Sequence, residues 1–159
     1  MNKIILVGKA ASGKDYIRKM LESKGGKYGV SCTSRPARER ESEKDYIFVS
    51  KEDFEEKIKN NEFVQYCEFN GNYYGTLKKT FEDCDVFVMS PEGISKLSSE
   101  VRNSCTVMFI HCDQQKRVWR MINRSNNKIT KEEIEKRIET DDKLFAGFED
   151  FDLFVENSL

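Results

Sequence analysis

Residues 8–14 read Gly-Lys-Ala-Ala-Ser-Gly-Lys, directly behind the apolar run Ile4-Ile5-Leu6-Val7 and ahead of the helical pattern Tyr16, Ile17, Met20, Leu21. A strand feeding a glycine-bearing turn that opens a helix aims several backbone N–H groups and the positive helix end at one point, where a polyphosphate can sit. Gly8 and Gly13 permit the backbone turns, Ala10, Ala11 and Ser12 complete the cradle, and Lys14 supplies a mobile point charge for the outer phosphates. The spacing Gly-x-x-x-x-Gly-Lys in this context is far more restrictive than a lone glycine triplet. One position departs from it. Residue 15 is Asp, where a hydroxyl side chain usually touches magnesium.

A chain of 159 residues is one domain's worth. Its 27 Lys and Arg nearly balance 28 Asp and Glu, leaving a net charge of -1 and no global field that would draw it to a nucleic acid polymer or a membrane. Basic side chains must therefore act locally. Cys32, Cys67, Cys84, Cys105 and Cys112 show no Cys-x-x-Cys spacing, and the sequence contains neither a leader-like segment nor a long apolar span. The expectation is a cytoplasmic chain with reduced thiols. His111, the only histidine, lies inside the run Val107 to Cys112 and reads as a strand residue rather than a ligand or base.

Apolar runs recur at Ile4 to Val7, Val86 to Met89, Thr106 to Ile110 and Leu153 to Val155, with helical stretches between them. Strands alternating with helices predict an α/β architecture with a parallel sheet flanked by helices. Between the first two runs the pattern changes. Tyr46 to Val49 reads as a short strand, Ser50 and Asp53 form a capping-box pattern, and Phe54 and Ile58 fall one helical turn apart. Phe63 to Phe69 then leads into Asn70-Gly71, a hairpin turn signal, so an insert with its own small sheet is expected to project from the parallel core. Further on, Arg120 and Arg124 lie one turn apart, the polar loop Ser125-Asn126-Asn127-Lys128 follows, and Thr130 with Glu133 starts another helix containing Arg137.

The segments Val30-Ser31-Cys32-Thr33-Ser34-Arg35-Pro36-Ala37-Arg38, Asp45-Tyr46-Ile47-Phe48-Val49-Ser50 and Gly71-Asn72-Tyr73-Tyr74-Gly75-Thr76 resemble guanylate kinases, and the likeness runs through nearly the whole chain in that family's order. The resemblance implies a P-loop kinase fold in a single domain. Its core would be residues 1–30 and 80–159, its small mixed α/β insert for a nucleoside monophosphate about 31–79, and its lid about 121–133. ATP as co-substrate, with magnesium, and a nucleoside monophosphate are the implied partners.

Two nucleotides bring roughly six negative charges into one cleft, so transfer requires cations around the moving phosphoryl group. By the resemblance, Lys14, Arg38, Arg124 and Arg137 carry catalysis, with Arg120 as an additional lid-side cation. Gly8, Ala10, Ala11, Ser12, Gly13, Lys14, Asp15 and Asn157 would bind ATP, Asn157 at the adenine. Arg35, Arg38, Tyr46 and Tyr74 would hold the acceptor phosphate, the forked guanidinium groups taking two oxygens at once. Ser31, Gln65, Thr76 and Ser90 would face the base.

Three departures from the family pattern stand out. Gln65 and Ser90 occupy positions where the family has an acid, so the base would lose charge-assisted hydrogen bonds. Val88 replaces a carboxylate near the metal, and Asp15 is the expected compensating magnesium ligand. The sequence also stops at Glu156-Asn157-Ser158-Leu159, where the family continues into a covering helix, which leaves a homodimer as one expectation for the open sheet face. The leading expectation is a kinase acting on GMP or dGMP. The alternatives are a kinase with altered base specificity, toward a deoxy or modified nucleotide, and an inactive guanylate-kinase-like module that binds protein.

Overall fold

The structure is a computed structural model that describes residues 2–158. In chain order its elements are β1 (Lys3–Val7), α1 (Lys14–Ser23), β2 (Cys32–Thr33), β3 (Ile47–Phe48), α2 (Lys51–Lys59), β4 (Phe63–Phe69), β5 (Asn72–Leu77) and α3 (Lys78–Asp83). They continue with β6 (Val86–Val88), α4 (Pro91–Ser95), α5 (Ser99–Asn103), β7 (Cys105–His111), α6 (Gln114–Arg124), α7 (Lys131–Leu144) and β8 (Leu153–Glu156).

The four apolar runs form one all-parallel sheet in the order β6-β1-β7-β8. Runs without strict alternation suit strands covered on both faces. Side chains alternate accordingly: Ile5, Val7, Phe87 and Val107 pack with Phe81 and Ile94 in one cluster, while Leu6, Val86 and Ile110 pack with Ile17 in another. Because β1 lies between β6 and β7, the chain leaves its carboxyl end at the place where crossovers diverge, and a ligand crevice opens there in sheets of this type. His111 is a strand residue as expected, with its ring Nδ1 2.7 Å from Glu156 on β8.

The second sheet, order β3-β2-β5-β4, is mixed and falls entirely within residues 32–77. Asn70 and Gly71 both take positive φ, 50° and 77°, which suits the tight hairpin joining β4 to β5. Phe54 of α2 is fully buried and stacks on Phe63 and Tyr73 at 4.4 and 5.0 Å, giving the insert its own small core. Two local expectations are corrected. The strand read over Tyr46 to Val49 is only Ile47–Phe48, and the capping box at Ser50 is half made, with Ser50 Oγ accepting from Asp53 N. Asp is one methylene shorter than the Glu or Gln that normally reaches back. The box at Thr130 and Glu133 is complete. Among the described residues, no helix is long and apolar enough to cross a membrane.

Candidate active site

Residues 8–13 link the end of β1 to the start of α1. Ala11 and Gly13 adopt left-handed backbone, φ 59° and 100°, turning the chain so that the amides of α1 open toward the loop. A side chain at 13 has no room, since an added Cβ would lie 1.9 Å from Asn157 Nδ2. The loop is braced from two sides. Arg120 Nη1 donates to Ala11 O and the buried Asn157 Nδ2 donates to Ser12 O, each at 2.9 Å. Asn157, which the resemblance assigned to adenine, thus holds the loop backbone here, and Arg120 does the same from α6.

Lys14 folds its ammonium over the carbonyls of Gly8 and Lys9. Burial holds this group down at about 8, against the pull of Asp141 and Asp15, while Arg124 and Arg117 push it down further. Ser12 Oγ is buried with no hydrogen-bond partner among the described residues. Asp15 sits in the first turn of α1 with its carboxylate largely in solvent, 3.8 Å from Arg18 Nε.

Ala10 and Ala11 share a cleft of about 460 Å³ with Met121, Arg124, Ser125, Lys128, Ile129, Glu133 and Arg137. Arg124 of α6 and Arg137 of α7 therefore face the glycine-bearing loop across one cavity, where repulsion between them favours an anion. The loop joining α6 to α7 is not a loose flap. Asn126 and Asn127 take positive φ, and Ser125 Oγ both donates to Ile122 O and accepts from Ile129 N.

The insert residues form two further groups. Arg35 grips Glu41 with two parallel bonds of 2.8 Å, and Glu41 also accepts from Arg38 N at 2.8 Å. The Arg35 fork, then the Arg38 amide, pull the Glu41 carboxyl down to about 2. Tyr46 lies 5.3 Å under the Arg35 guanidinium and meets Tyr74 edge-on at 6.2 Å, while the Arg38 side chain is exposed. Burial pushes the Tyr46 hydroxyl up from its usual value.

Gln65 and Thr76 are cross-strand partners, with Gln65 Nε2 3.2 Å from Thr76 Oγ1. Gln65 Oε1 is buried with no hydrogen-bond partner among the described residues and faces Gly93 of α4, where an added Cβ would sit 2.9 Å from it. Ser90 caps α4 by accepting from Gly93 N at 3.1 Å, and Cys67 Sγ lies 4.0 Å from its hydroxyl. Ser31 contributes its carbonyl to Ile47 N at 2.9 Å.

The structure thus joins the loop to the lid arginines and joins Gln65, Thr76 and Ser90, but the lid cleft contains none of the insert residues. The loop follows β1 and Ser90 follows β6, both of the parallel sheet, whereas Gln65 and Thr76 lie on the second sheet. Sequence reasoning missed Glu41, Arg117, Asp141 and Asp142. Asp141 Oδ2 accepts from Ala10 N and Asp142 Oδ1 takes Lys9 Nζ, both at 2.9 Å. One signal was available for Asp141: it follows Arg137 by one helical turn, hence on the same face of α7.

A family description, guanylate kinase, matches residues 1–159. The guanylate kinases of Streptococcus thermophilus and Wolinella succinogenes are 30% and 33% identical to it, each over 97% of this chain and over 78% and 75% of their own lengths. That of Fusobacterium nucleatum is 41% identical over 81 residues, half of this chain and 44% of its own length. The crystal structure of the guanylate kinase from Anaplasma phagocytophilum superposes with a TM-score of 0.74 at 24% identity, covering 99% of this chain and 78% of that one, and so shares the fold. The chain belongs to the guanylate kinase family, ATP-dependent nucleoside monophosphate kinases built on the P-loop fold.

Proposed function

We propose that this chain transfers the γ-phosphoryl group of ATP to GMP or dGMP. The observation that carries the reading is the cleft in which Ala10 and Ala11 of the phosphate loop meet Arg124 and Arg137. Lys14, released from the Gly8 and Lys9 carbonyls, would turn to the outer phosphates of ATP. Arg35 and Arg38, with Tyr46 and Tyr74 beside them, would hold the acceptor phosphate, and Ser31, Gln65, Thr76 and Ser90 its base. Closing the insert toward the lid brings acceptor oxygen and γ-phosphorus into line, and Arg124 and Arg137 neutralise the charge spread over the equatorial oxygens. The attacking oxygen belongs to an ionised phosphate, so no general base is needed.

Asp15 fits a magnesium site of the kind completed by substrate phosphates and water, for it offers one solvent-facing hard oxygen donor beside the loop. Among the described residues no cluster of three or more acidic, His or Cys side chains supplies an all-protein site. Magnesium, when bound with ATP, would spread the charge of the outer phosphates.

A second reading is favoured by the base-side chemistry. Gln65 and Ser90 are neutral, and the Gln65 amide is already engaged with Thr76. Base selection then rests on neutral hydrogen bonds of about half the strength of charged ones, which admits an altered base or sugar preference. The test is ADP release from ATP and magnesium against all common ribo- and deoxyribonucleoside monophosphates. Turnover led by GMP or dGMP is expected. A pyrimidine preference would move the substrate and keep the mechanism, and absence of ADP release with every acceptor would end the kinase reading.

A further inference from the structure

Asp141 is the acid that contacts the backbone of the phosphate loop, and its bonds are unequal. Oδ2 accepts from Ala10 N at 2.9 Å, yet stands 3.6 Å from Arg117 Nη1. Arg117 is 3% exposed, and its Nε and Nη1 have no hydrogen-bond partner among the described residues. A buried guanidinium left short of bonds beside a carboxylate indicates that the loop amide, not the ion pair, sets the orientation of that carboxylate. One residue further, Asp142 Oδ1 holds Lys9 Nζ at 2.9 Å. One turn back on the same face of α7, Arg137 lines the cleft together with Ala10.

We propose that Asp141 is a positioning residue that clamps α7 to the phosphate loop through the Ala10 amide, with Arg117 as its buried counter-charge, and so aims Arg137 at the phosphoryl site. The clamp fixes two things at once. It holds residue 10 of the loop, and it fixes the helix one turn from the arginine that must meet the transferred group. An arginine on a freely moving helix would spend much of its time away from the cleft, so this contact sets how well Arg137 is preorganised. The clamp itself stands on geometry alone, while its catalytic consequence rests on the kinase reading above.

Amide hydrogen exchange at Ala10 tests the clamp without any activity. In Asp141→Ala, exchange at Ala10 should quicken by about tenfold or more, while amides of the core strands β1 and β7 keep their protection. Under the kinase reading, the same variant should lose turnover by roughly tenfold to a hundredfold, with KM for the accepted monophosphate within about twofold. The double variant Arg117→Met/Asp141→Asn keeps an acceptor for Ala10 without leaving a buried charge unpaired, so it should restore Ala10 protection and recover most of the lost turnover. Unchanged Ala10 exchange in Asp141→Ala overturns the clamp. So does a double variant in which Ala10 stays unprotected while the core strands remain intact. A wild-type chain with no turnover would sink the kinase reading, and the Ala10 measurement would still decide the clamp.

Discussion

Lys14 is the residue on which burial and function pull hardest against each other. Its ammonium is held at about 8 by desolvation, and arriving phosphates favour the charged form. Below about 8 the lysine is already protonated and binding gains nothing from proton uptake. Above it, binding must draw a proton. Metal-free ATP affinity, followed by titration calorimetry with a chelator present, should therefore be flat between about pH 7, above the terminal phosphate's own ionisation, and about pH 8, and then fall by roughly tenfold per pH unit. A flat profile to pH 9.5 would contradict this. Arg117 sets a second residue-scale expectation. Replacing it alone with Met takes a counter-charge from Asp141, which keeps its bond from Ala10 N and the Lys14 charge, and also removes a buried guanidinium short of bonds, so urea unfolding should register a loss of only about 1 kcal/mol. Legibility at this scale followed chemistry that is local in sequence. Lys14 was singled out by motif spacing and Arg124 and Arg137 by the resemblance, and one cleft holds both arginines together with Ala10 and Ala11. For Asp141 only its place one turn after Arg137 was visible; its bond to an amide 131 positions away was not, because nothing local in the chain records it.

At the scale of elements, the hydrophobic periods and turn residues anticipated the parallel strands, the hairpin at Asn70-Gly71 and the start of α7. Thr130→Ala removes the side-chain half of a complete cap, the Glu133 N bond to Thr130 Oγ1, and leaves the backbone N of residue 130 to donate to Glu133; about 1 kcal/mol is expected in thermal unfolding, together with faster exchange in the first turn of α7. Phe54→Ala deletes the centre of the insert's small core, a change expected to cost about 3–5 kcal/mol. Hydrogen exchange should rise in β2, β4 and β5 and stay slow in β1 and β7, because the two sheets have separate clusters. Equal loosening of both sheets would show that the insert is not a local unit. One reading at this scale fell short for an identifiable reason: the strand at Tyr46 to Val49 shortened because β2 offers it only two partner residues. Ser90, singled out for its hydroxyl, also caps α4. The pair Ser90-Pro91 carried that signal, a capping hydroxyl followed by proline at the first helical position.

Across the whole molecule, the cations form one group beside the glycine-bearing loop and another on the insert, so the proposed transfer needs the two to converge. Nucleotide binding should then stabilise the protein as linkage demands, by about 2.7 kcal/mol at a hundredfold excess over Kd. ATP and monophosphate together should raise Tm more than either alone, and strictly independent shifts would argue against closure around both. The sequence by itself determined the α/β class, the strand-loop-helix cradle, the presence of a second small sheet and the family, because each is written in short-range patterns of apolar period, turn residues and motif spacing. Only the tertiary structure decided that Asn157 and Arg120 brace the loop, that Glu41 occupies the fork of Arg35, and that Gln65 is packed against Gly93. Those facts depend on which distant groups meet once the sheets have packed, and hydrogen-bond partners chosen by three-dimensional proximity leave no period in the chain.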